Sequence, residues 1–301
     1  MIRRMEQQFI YSGTSNPALA TALAGLLDIP EGSIERSSFE NGETRIRITD
    51  AKIPNHIILV QSFSHPVNNH IVEYCLIADA LRRMGGTDIT AVIPFLGYSK
   101  QDKVFRTGEP LSIKVIAQIL QVIPVSKIIV FDLHNPAILG FFDVPVVNLS
   151  ARPLFLDYFK PRVTENSLIV APDAGSVKNS SSFASELSIP IAYVDKKRDL
   201  ATGKVTISGI SRTVKNADVV IIDDMIATGS TVIEIAHYLK KNGAHSITIA
   251  ATHHLYLPGV QEKILMSPID HLVVTDTIPC PTHSQKLTVL SVAKILAENL
   301  T

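Results

Sequence analysis

The segment VVIIDDMIATGST, residues 219–231, is the clearest indicator of the fold, and a segment with helical spacing follows it. Its opening run of apolar, β-branched residues is continuous instead of alternating, which predicts a strand buried on both faces within a parallel sheet. Two carboxylates come at the end of that strand, where open α/β sheets bind their ligands. The following loop offers backbone N–H groups, hydroxyls and a helix N-terminus, which together favour a phosphate. The stretch therefore predicts a site for a ribose phosphate, with carboxylates that bind sugar hydroxyls or reach a divalent cation.

Parts of this stretch have a plainer interpretation. A pair of aspartates or a Thr-Gly-Ser turn, taken alone, is more often an ordinary capped helix after a surface turn. The complete string favours the phosphate site, because it matches the 5-phosphoribosyl-diphosphate signature of the type I phosphoribosyltransferase fold, with a strand before it and a helix after it.

Outward from this stretch, strand-like and helix-like segments alternate along the chain. Short runs rich in Ile and Val predict buried parallel strands at 56–63, 88–95, 127–134, 167–173, 218–225, 246–254 and 271–277. Apolar residues at helical spacing predict helices at 70–84, 112–122, 230–242 and 287–299. This alternation indicates an α/β fold with mainly parallel sheets flanked by helices.

A repeated pattern bears on the number of domains. The segment LRRMG at 81–85, followed by Ile89-Thr90, recurs 158 positions later as LKKNG at 239–243, followed by Ile247-Thr248. Each is a helix with a basic last turn and a Gly at its exit, a pattern that capping alone also produces. Together with the chain length, it favours two similar α/β domains, at 1–149 and 150–301.

Composition excludes several classes of protein. The 301 residues include 28 basic and 28 acidic ones, and 46% are hydrophobic, so we expect a folded chain with no basic face for nucleic acid. Cys75 and Cys280 form neither a disulfide framework nor a metal-binding spacing. A polar start and the lack of a long uncharged apolar run predict a cytoplasmic protein with no membrane partner.

From Phe39 to its carboxyl end, the chain resembles the ribose-phosphate diphosphokinase (phosphoribosyl-pyrophosphate synthetase) family. The matching segments are SFENGE (38–43), QSFSHPVNNH (61–70), DALRRMGGTDITAVIPFLGYSKQDK (79–103), GEPLSIK (108–114), FDLHNPAILGFFDVPVVNL (131–149), APDAG (171–175), VDKKR (194–198) and TDTIP (275–279). The resemblance implies two phosphoribosyltransferase-type domains. It also implies an enzyme that transfers the β,γ-diphosphate of Mg·ATP to the anomeric hydroxyl of ribose 5-phosphate. A phosphoribosyltransferase acting on a nucleobase and a non-catalytic regulatory homologue are the alternatives.

The resemblance also implies roles for individual residues. It implies that Lys196 and Arg198, which open a flexible cationic loop, are catalytic. It implies that His134 and Asp173 bind Mg²⁺. ATP binding falls to Phe39, Asn41, Glu43, Lys100, Gln101, Asp102 and His134. Ribose 5-phosphate binding falls to Asp223, Asp224, Ala227, Thr228, Gly229, Ser230 and Thr231.

From the residues alone, several of these assignments have ordinary alternatives. The segment around Phe39 reads as an exposed turn before an edge strand at Thr44 to Ile48. The cations from Lys196 read as a solvated turn, and His134 as a hydrogen-bonded group at a strand end. His253 and His254 are adjacent on a strand, so they point to opposite faces, and we expect structural roles for both.

The chain departs from the family pattern in several places, and the resemblance has consequences for assembly. Lys100 stands where the family usually has Arg, and Ala227 stands where many members have Asp. The family also usually carries an Arg in the loop after Asp173 and Gly175, where the nearest cation here is Lys178. The family's ATP loop reaches a neighbouring subunit, so we expect a homo-oligomer, a dimer or a hexamer. The family's carboxyl-terminal regulatory extension has no counterpart after Thr301, so we expect ADP to compete only with ATP.

Overall fold

The computed structural model describes residues 8–198, 205–282 and 284–300, with the side chains at 197–198 and 205–206 left out. It divides into two compact units. Unit 1 comprises residues 1–150 with 277–279 and 291–301, and unit 2 comprises 151–276 with 280–290. The exact boundary after residue 149 stays a prediction. Across the described ranges, no helix combines the length and the apolar character needed to cross a membrane.

Unit 1 is built on a parallel sheet of five strands in the order β1-β4-β5-β6-β7. Its core consists of aliphatic and aromatic side chains of these strands and of the helices beside them, such as Leu59, Tyr74 and Ile128. A short 3-10 helix at 136–141 follows β6. The elements up to residue 149 are β1 (Gln8–Ser12), α1 (Pro17–Leu27), β2 (Ile34–Ser38), β3 (Thr44–Ile48), β4 (His56–Val60), α2 (Val67–Arg83), β5 (Asp88–Val92), α3 (Ser112–Leu120), β6 (Lys127–Phe131) and β7 (Val146–Leu149).

The strands β2 and β3 form a separate antiparallel hairpin outside the main sheet. One face of the hairpin carries Ile34, Ile46 and Ile48, which pack against the core of unit 1. The opposite face is exposed. The edge strand predicted at Thr44 to Ile48 is present.

Unit 2 contains a sheet of seven strands in the order β10-β9-β8-β11-β12-β13-β14, parallel except for the β9–β10 pair. The strands β8, β11 and β12 lie in the middle; β8 is buried throughout, β11 at residues 219–221 and β12 from Ile249 to His254. The elements are α4 (Arg152–Phe159), β8 (Ser167–Ala171), α5 (Val177–Leu187), β9 (Ile191–Arg198), β10 (Val205–Ile210), β11 (Asp218–Ile226), α6 (Ser230–Lys241), β12 (Ser246–His254), α7 (Val260–Leu265), β13 (His271–Thr275) and β14 (Leu287–Leu290).

The two units share a topology. The order β1-β4-β5-β6-β7 has the same succession of strands as β8-β11-β12-β13-β14. The repeated pattern falls where this match requires it: α2 and α6 are each followed by a glycine with positive φ, Gly85 at 101° and Gly243 at 89°. Each helix is then closed by the same bond, from the Gly86 N–H to the Leu81 carbonyl and from the Ala244 N–H to the Leu239 carbonyl. The prediction of two similar α/β domains is therefore confirmed.

One predicted helix was wrong in part. Residues 287–290 form β14, which pairs in parallel with β13, and the helix α8 (Ala293–Glu298) begins only afterwards. Thr288 and Val289 are β-branched and suit a strand, and β13 supplies the neighbour that a sequence pattern does not reveal. α8 belongs to unit 1, where it packs against α1.

Candidate active site

The carboxyl edge of the unit 2 sheet brings several predicted residues together. β8 pairs with β11 up to Ile169 and Val220 and ends at Ala171, two residues before Asp173, while Asp223 and Asp224 lie toward the same end of β11. On its other side β8 pairs with β9 at Ala171 and Tyr193, so the chain beyond this pair reaches Lys196 at the same edge. Ligands of parallel sheets bind at this edge, so the topology supports a common site for these side chains.

Lys196 and Asp173 form an ion pair. The Lys196 Nζ lies 3.0 Å from Asp173 Oδ2, and the lysine side chain is 19% exposed. The Ser176 N–H donates to Asp173 Oδ1 over 2.9 Å, which orients the carboxylate. Partial burial favours the neutral carboxyl, but the hydrogen bond and charge of Lys196, with the bonds from Ser176, outweigh it and lower the pKa of Asp173. This ion pair therefore joins an anionic carboxylate to an oriented ammonium group.

Asp223 and Asp224 lie within β11, not after it, because the strand continues to Ile226. Each is partly buried, and each accepts a backbone N–H from the next residue, over 2.9 Å at Asp223 and 2.8 Å at Asp224. Successive side chains of a strand point to opposite faces, so the two carboxylates face a ligand in different ways. We therefore expect Asp223 and Asp224 to contribute unequally to ligand binding.

The loop at 227–231 leads from β11 into α6. Gly229 caps the helix with φ 71°, and a Cβ there would lie 3.3 Å from Val260 Cγ1. Both the backbone conformation and the close packing therefore favour glycine. Among the residues that the structure describes, no side-chain hydrogen bond caps α6 at Gly229, and the Thr228 hydroxyl donates to Ser230 Oγ over 3.3 Å. The first N–H groups of α6 are thus available to an anion, as the predicted phosphate site requires.

The other predicted cations of unit 2 are only partly described. Lys196 lies on β9, opposite Ile207 of β10, where the sequence predicted the start of a loop. Arg198 ends the same strand, and its side chain lies outside the described residues. Lys178 is exposed in the first turn of α5.

The predicted ATP residues of unit 1 include the tip of the β2–β3 hairpin. The Phe39 N–H donates to the Glu43 carbonyl over 2.9 Å, and Asn41 Oδ1 accepts the Glu43 N–H. Phe39 is 51% exposed, with the Arg45 guanidinium 5.9 Å from its ring centre. An exposed aromatic ring beside amide and carboxylate groups is suited to stacking and to hydrogen bonding with a purine.

The second group lies where β5 and β6 end. Asp102 Oδ2 accepts the Asn135 side-chain N–H over 2.7 Å, which joins the loop of Asp102 to the residue after His134. Gln101 Oε1 accepts the Ser112 hydroxyl over 2.7 Å, and Lys100 and His134 are exposed. The structure therefore links Asp102 to the His134 segment, and Gln101 to the start of α3.

The donor chemistry is compatible with Mg²⁺ but not with a closed protein site. Within the described ranges, no three His, Cys, Asp or Glu side chains are placed to hold a metal ion. Mg²⁺ prefers oxygen ligands and commonly takes one or two carboxylates together with substrate phosphates, which the carboxylates of this edge can supply. His134 belongs to unit 1 and Asp173 to unit 2, and their shared role stays a prediction.

His254 has the structural role that we expected. Its side chain is fully buried, its Nε2 lies 2.9 Å from Gln261 Oε1, and its Nδ1 accepts the Tyr256 N–H. Burial lowers its pKa to about 4. His253 is also buried.

Two residues near the predicted set were missed by the sequence analysis. Asn135 connects to Asp102 and also caps the 3-10 helix through the Ala137 N–H, and Ser176 orients Asp173. Each had a usable signal: Asn directly before Pro136 is a capping pattern, and Ser three residues after an Asp is a turn pattern.

Comparison with known proteins identifies the family. Residues 8–123 match the N-terminal domain of ribose phosphate pyrophosphokinase, and residues 157–269 match the phosphoribosyl transferase domain. The ribose-phosphate pyrophosphokinase of Wolinella succinogenes is 36% identical over 289 residues, covering 96% of this chain and 93% of that protein. The one of Ralstonia nicotianae is 36% identical over 300 residues, covering 98% and 95%.

A solved structure agrees with these relatives. The crystal structure of phosphoribosylpyrophosphate synthetase from Mycobacterium smegmatis matches with a TM-score of 0.88 at 30% identity, covering 98% of each chain. The agreement extends over both units, so the fold and the family predicted from sequence are confirmed. The chain belongs to the ribose-phosphate pyrophosphokinase family.

Proposed function

We propose that this protein transfers the β,γ-diphosphate of Mg·ATP to the anomeric hydroxyl of ribose 5-phosphate, which gives 5-phosphoribosyl 1-diphosphate and AMP. The observation that carries the proposal is the lysine–aspartate pair of Lys196 and Asp173 at the same sheet edge as Asp223, Asp224 and the loop at 227–231. One edge thereby combines a cation for transferring phosphates with acceptors for a sugar and donors for its phosphate.

Ribose 5-phosphate binds to β11 and the start of α6. The backbone N–H groups from Ala227 to Thr231 donate to the 5-phosphate, and the helix dipole of α6 favours its negative charge. Asp223 and Asp224 accept hydrogen bonds from ribose hydroxyls, since ionised carboxylates are acceptors only. These contacts orient the anomeric hydroxyl.

The transfer step forms one P–O bond and breaks another. The anomeric oxygen attacks the β-phosphorus of ATP, the bond from that phosphorus to the α,β-bridging oxygen breaks, and AMP leaves with the bridging oxygen. The hydroxyl proton passes to solvent, and no side chain is assigned as a base. The chemistry depends on alignment and on stabilising charge at the phosphate oxygens.

Lys196 and Arg198 stabilise that charge. Asp173 already orients Lys196. The lysine reaches a phosphate by exchanging the Asp173 carboxylate for a phosphate oxygen. Mg²⁺, when bound with ATP, neutralises phosphate charge; its predicted ligands are Asp173 and His134.

ATP is bound by unit 1. Phe39 stacks on the adenine ring while Asn41 and Glu43 bind its polar edge, and Lys100, Gln101, Asp102 and His134 serve the remainder of the nucleotide. The family resemblance supports a contact of the hairpin with the ATP of a neighbouring subunit, and we therefore propose that the functional protein is a homo-oligomer.

A product assay tests the proposal. Purified protein is mixed with ATP, Mg²⁺ and ribose 5-phosphate, and AMP and 5-phosphoribosyl 1-diphosphate are quantified. We expect equal amounts of both, and neither when ribose 5-phosphate is omitted. Consumption of 5-phosphoribosyl 1-diphosphate with a nucleobase would instead support the base transferase, and absence of any product would support the non-catalytic homologue.

A further inference from the structure

A buried carboxylate of unit 1, Glu73 on α2, is joined to the β2–β3 hairpin. Glu73 is 5% exposed. Its oxygens accept the Thr14 N–H over 3.1 Å, the Thr14 hydroxyl over 2.6 Å and the Gln61 side-chain amide over 2.7 Å. They also lie 3.2 Å from Nε of Arg36. Of these donors only the Arg36 group is charged, so it supplies the countercharge that a buried carboxylate requires.

The loop after β1 is shaped around the same cluster. Gln61, fully buried, accepts the Ser15 N–H and donates to the His70 carbonyl. A Cβ on Gly13 would come within 2.1 Å of the Gln61 side chain, so the cluster requires glycine there. Glu73 therefore lies in a rigid, satisfied network that ties α2 to the ends of β1 and β4.

Arg36 connects this hydrogen-bond network to the hairpin. It lies on β2 opposite Ile46, and its side chain, 31% exposed, reaches both Glu73 and the Ser12 carbonyl at the end of β1. A guanidinium group that binds two fixed acceptors restrains position and orientation together.

The hairpin needs such a restraint. Ile34, Ile46 and Ile48 pack one face against the core, but two strands are marginal in water without further support, and β2 is exposed along most of its length. Strand alternation places Arg36 on the face of the hairpin that packs on the core of unit 1. It places Phe39 and Glu43 on the outer face, beside Arg45. The inner face is therefore anchored while the outer face presents the residues assigned to ATP.

We infer that Arg36 and Glu73 are positioning residues for ATP: the ion pair holds the hairpin so that Phe39, Asn41 and Glu43 meet the nucleotide in one orientation. This inference rests on the proposed function. A hairpin that makes ground-state contacts with ATP acts on its KM, and the binding of ribose 5-phosphate in unit 2 is not involved.

Steady-state kinetics test the inference with a matched control. Arg36→Met removes the anchor, and Arg47→Met removes an exposed arginine on the outer face of the same hairpin, paired with Glu35 at 3.3 Å. We expect Arg36→Met to raise the KM for ATP about tenfold, since a hydrogen-bonded charged pair is lost, with kcat and the KM for ribose 5-phosphate little changed. Arg36→Lys, which keeps the charge, should restore part of the affinity, and Arg47→Met should behave as the wild type.

Amide hydrogen exchange gives a readout that does not depend on activity. We expect faster exchange across residues 34–48 in Arg36→Met than in Arg47→Met, because a hairpin without its anchor opens more often. An unchanged KM for ATP in an active Arg36→Met protein, or equal exchange in both variants, would overturn the inference and leave the proposed function intact. A wild type that forms no AMP from ATP and ribose 5-phosphate would instead refute the function, and the exchange data would still decide whether Arg36 anchors the hairpin.

Discussion

At the scale of single residues, Lys196 is the proposed contact with the transferring diphosphate. A cation that meets charge as it develops acts mainly in the transition state, so Lys196→Ala should lower kcat by about a hundredfold or more while changing the KM for ATP much less. Steady-state kinetics with varied ATP measure both constants. Lys240→Ala is the control, because Lys240 forms a comparable pair with Asp270 at 2.9 Å near the opposite end of α6. Similar losses in both variants would show that Lys196 acts only through folding.

The paired carboxylates Asp223 and Asp224 give a second prediction for single residues. Asp223→Asn and Asp224→Asn should each raise the KM for ribose 5-phosphate, unequally, because an amide places donors where acceptors are needed and the two residues face opposite sides of β11. ATP binding, measured by calorimetry, should stay near the wild-type value. Asp218→Asn tests the amino end of the strand, where His245 and Ser246 bind the carboxylate; a loss of sugar phosphate affinity there would contradict the placement.

His254 makes stability depend on pH. Burial lowers its pKa from 6.5 to about 4 in the folded protein. Between those values the unfolded chain binds a proton that the folded chain does not, so stability falls as the pH is lowered. From pH 7 to pH 5 this histidine should account for about 2 kcal/mol of lost unfolding free energy. Urea unfolding of the wild type and His254→Gln measures the effect, and a difference between the two that stays constant with pH would refute it.

At the scale of elements, the turn into α6 depends on one glycine. Gly229→Ala places a side chain at φ 71° and against Val260, so we expect a displaced loop and a higher KM for ribose 5-phosphate. Gly259→Ala at the start of α7 is the matched control, because its φ is 74° and its Cβ has open space. The left-handed conformation costs both variants about 1 kcal/mol of stability, measured by thermal unfolding. If Gly259→Ala raises that KM equally, the effect comes from strain and not from the phosphate loop.

Some secondary-structure elements could be predicted from the sequence, and others could not. β11 and β12 were predictable because their apolar runs are continuous, and the Thr-Gly-Ser turn predicted the start of α6. The residues from Leu287 were assigned to a helix because a single periodicity was applied across β14 and α8. The ion pair of Arg36 and Glu73 escaped sequence analysis altogether, since the two lie 37 positions apart and only the fold makes them neighbours.

At the scale of the whole molecule, the predicted assembly can be tested by mixing two inactive variants. Glu43→Ala damages the hairpin of unit 1, and Asp224→Ala damages the sugar site of unit 2. If the hairpin serves a neighbouring chain, mixed oligomers contain some sites that carry neither change, and activity should reappear on mixing, as measured by AMP release. Each variant alone is the control. Mixtures as inactive as their components, or a fully active monomer by light scattering, would contradict the assembly.

The packing of α8 against α1 has a consequence for how the protein is made. Val292 and Leu296 are fully buried, and their segment belongs to unit 1 although it follows every residue of unit 2 in the chain. Because the ribosome synthesises the chain from its amino end, the surface of α1 stays uncovered until residues 292–298 have been translated. The unit that is begun first is therefore the last to be completed, because α8 joins unit 1 only after all of unit 2 has been synthesised.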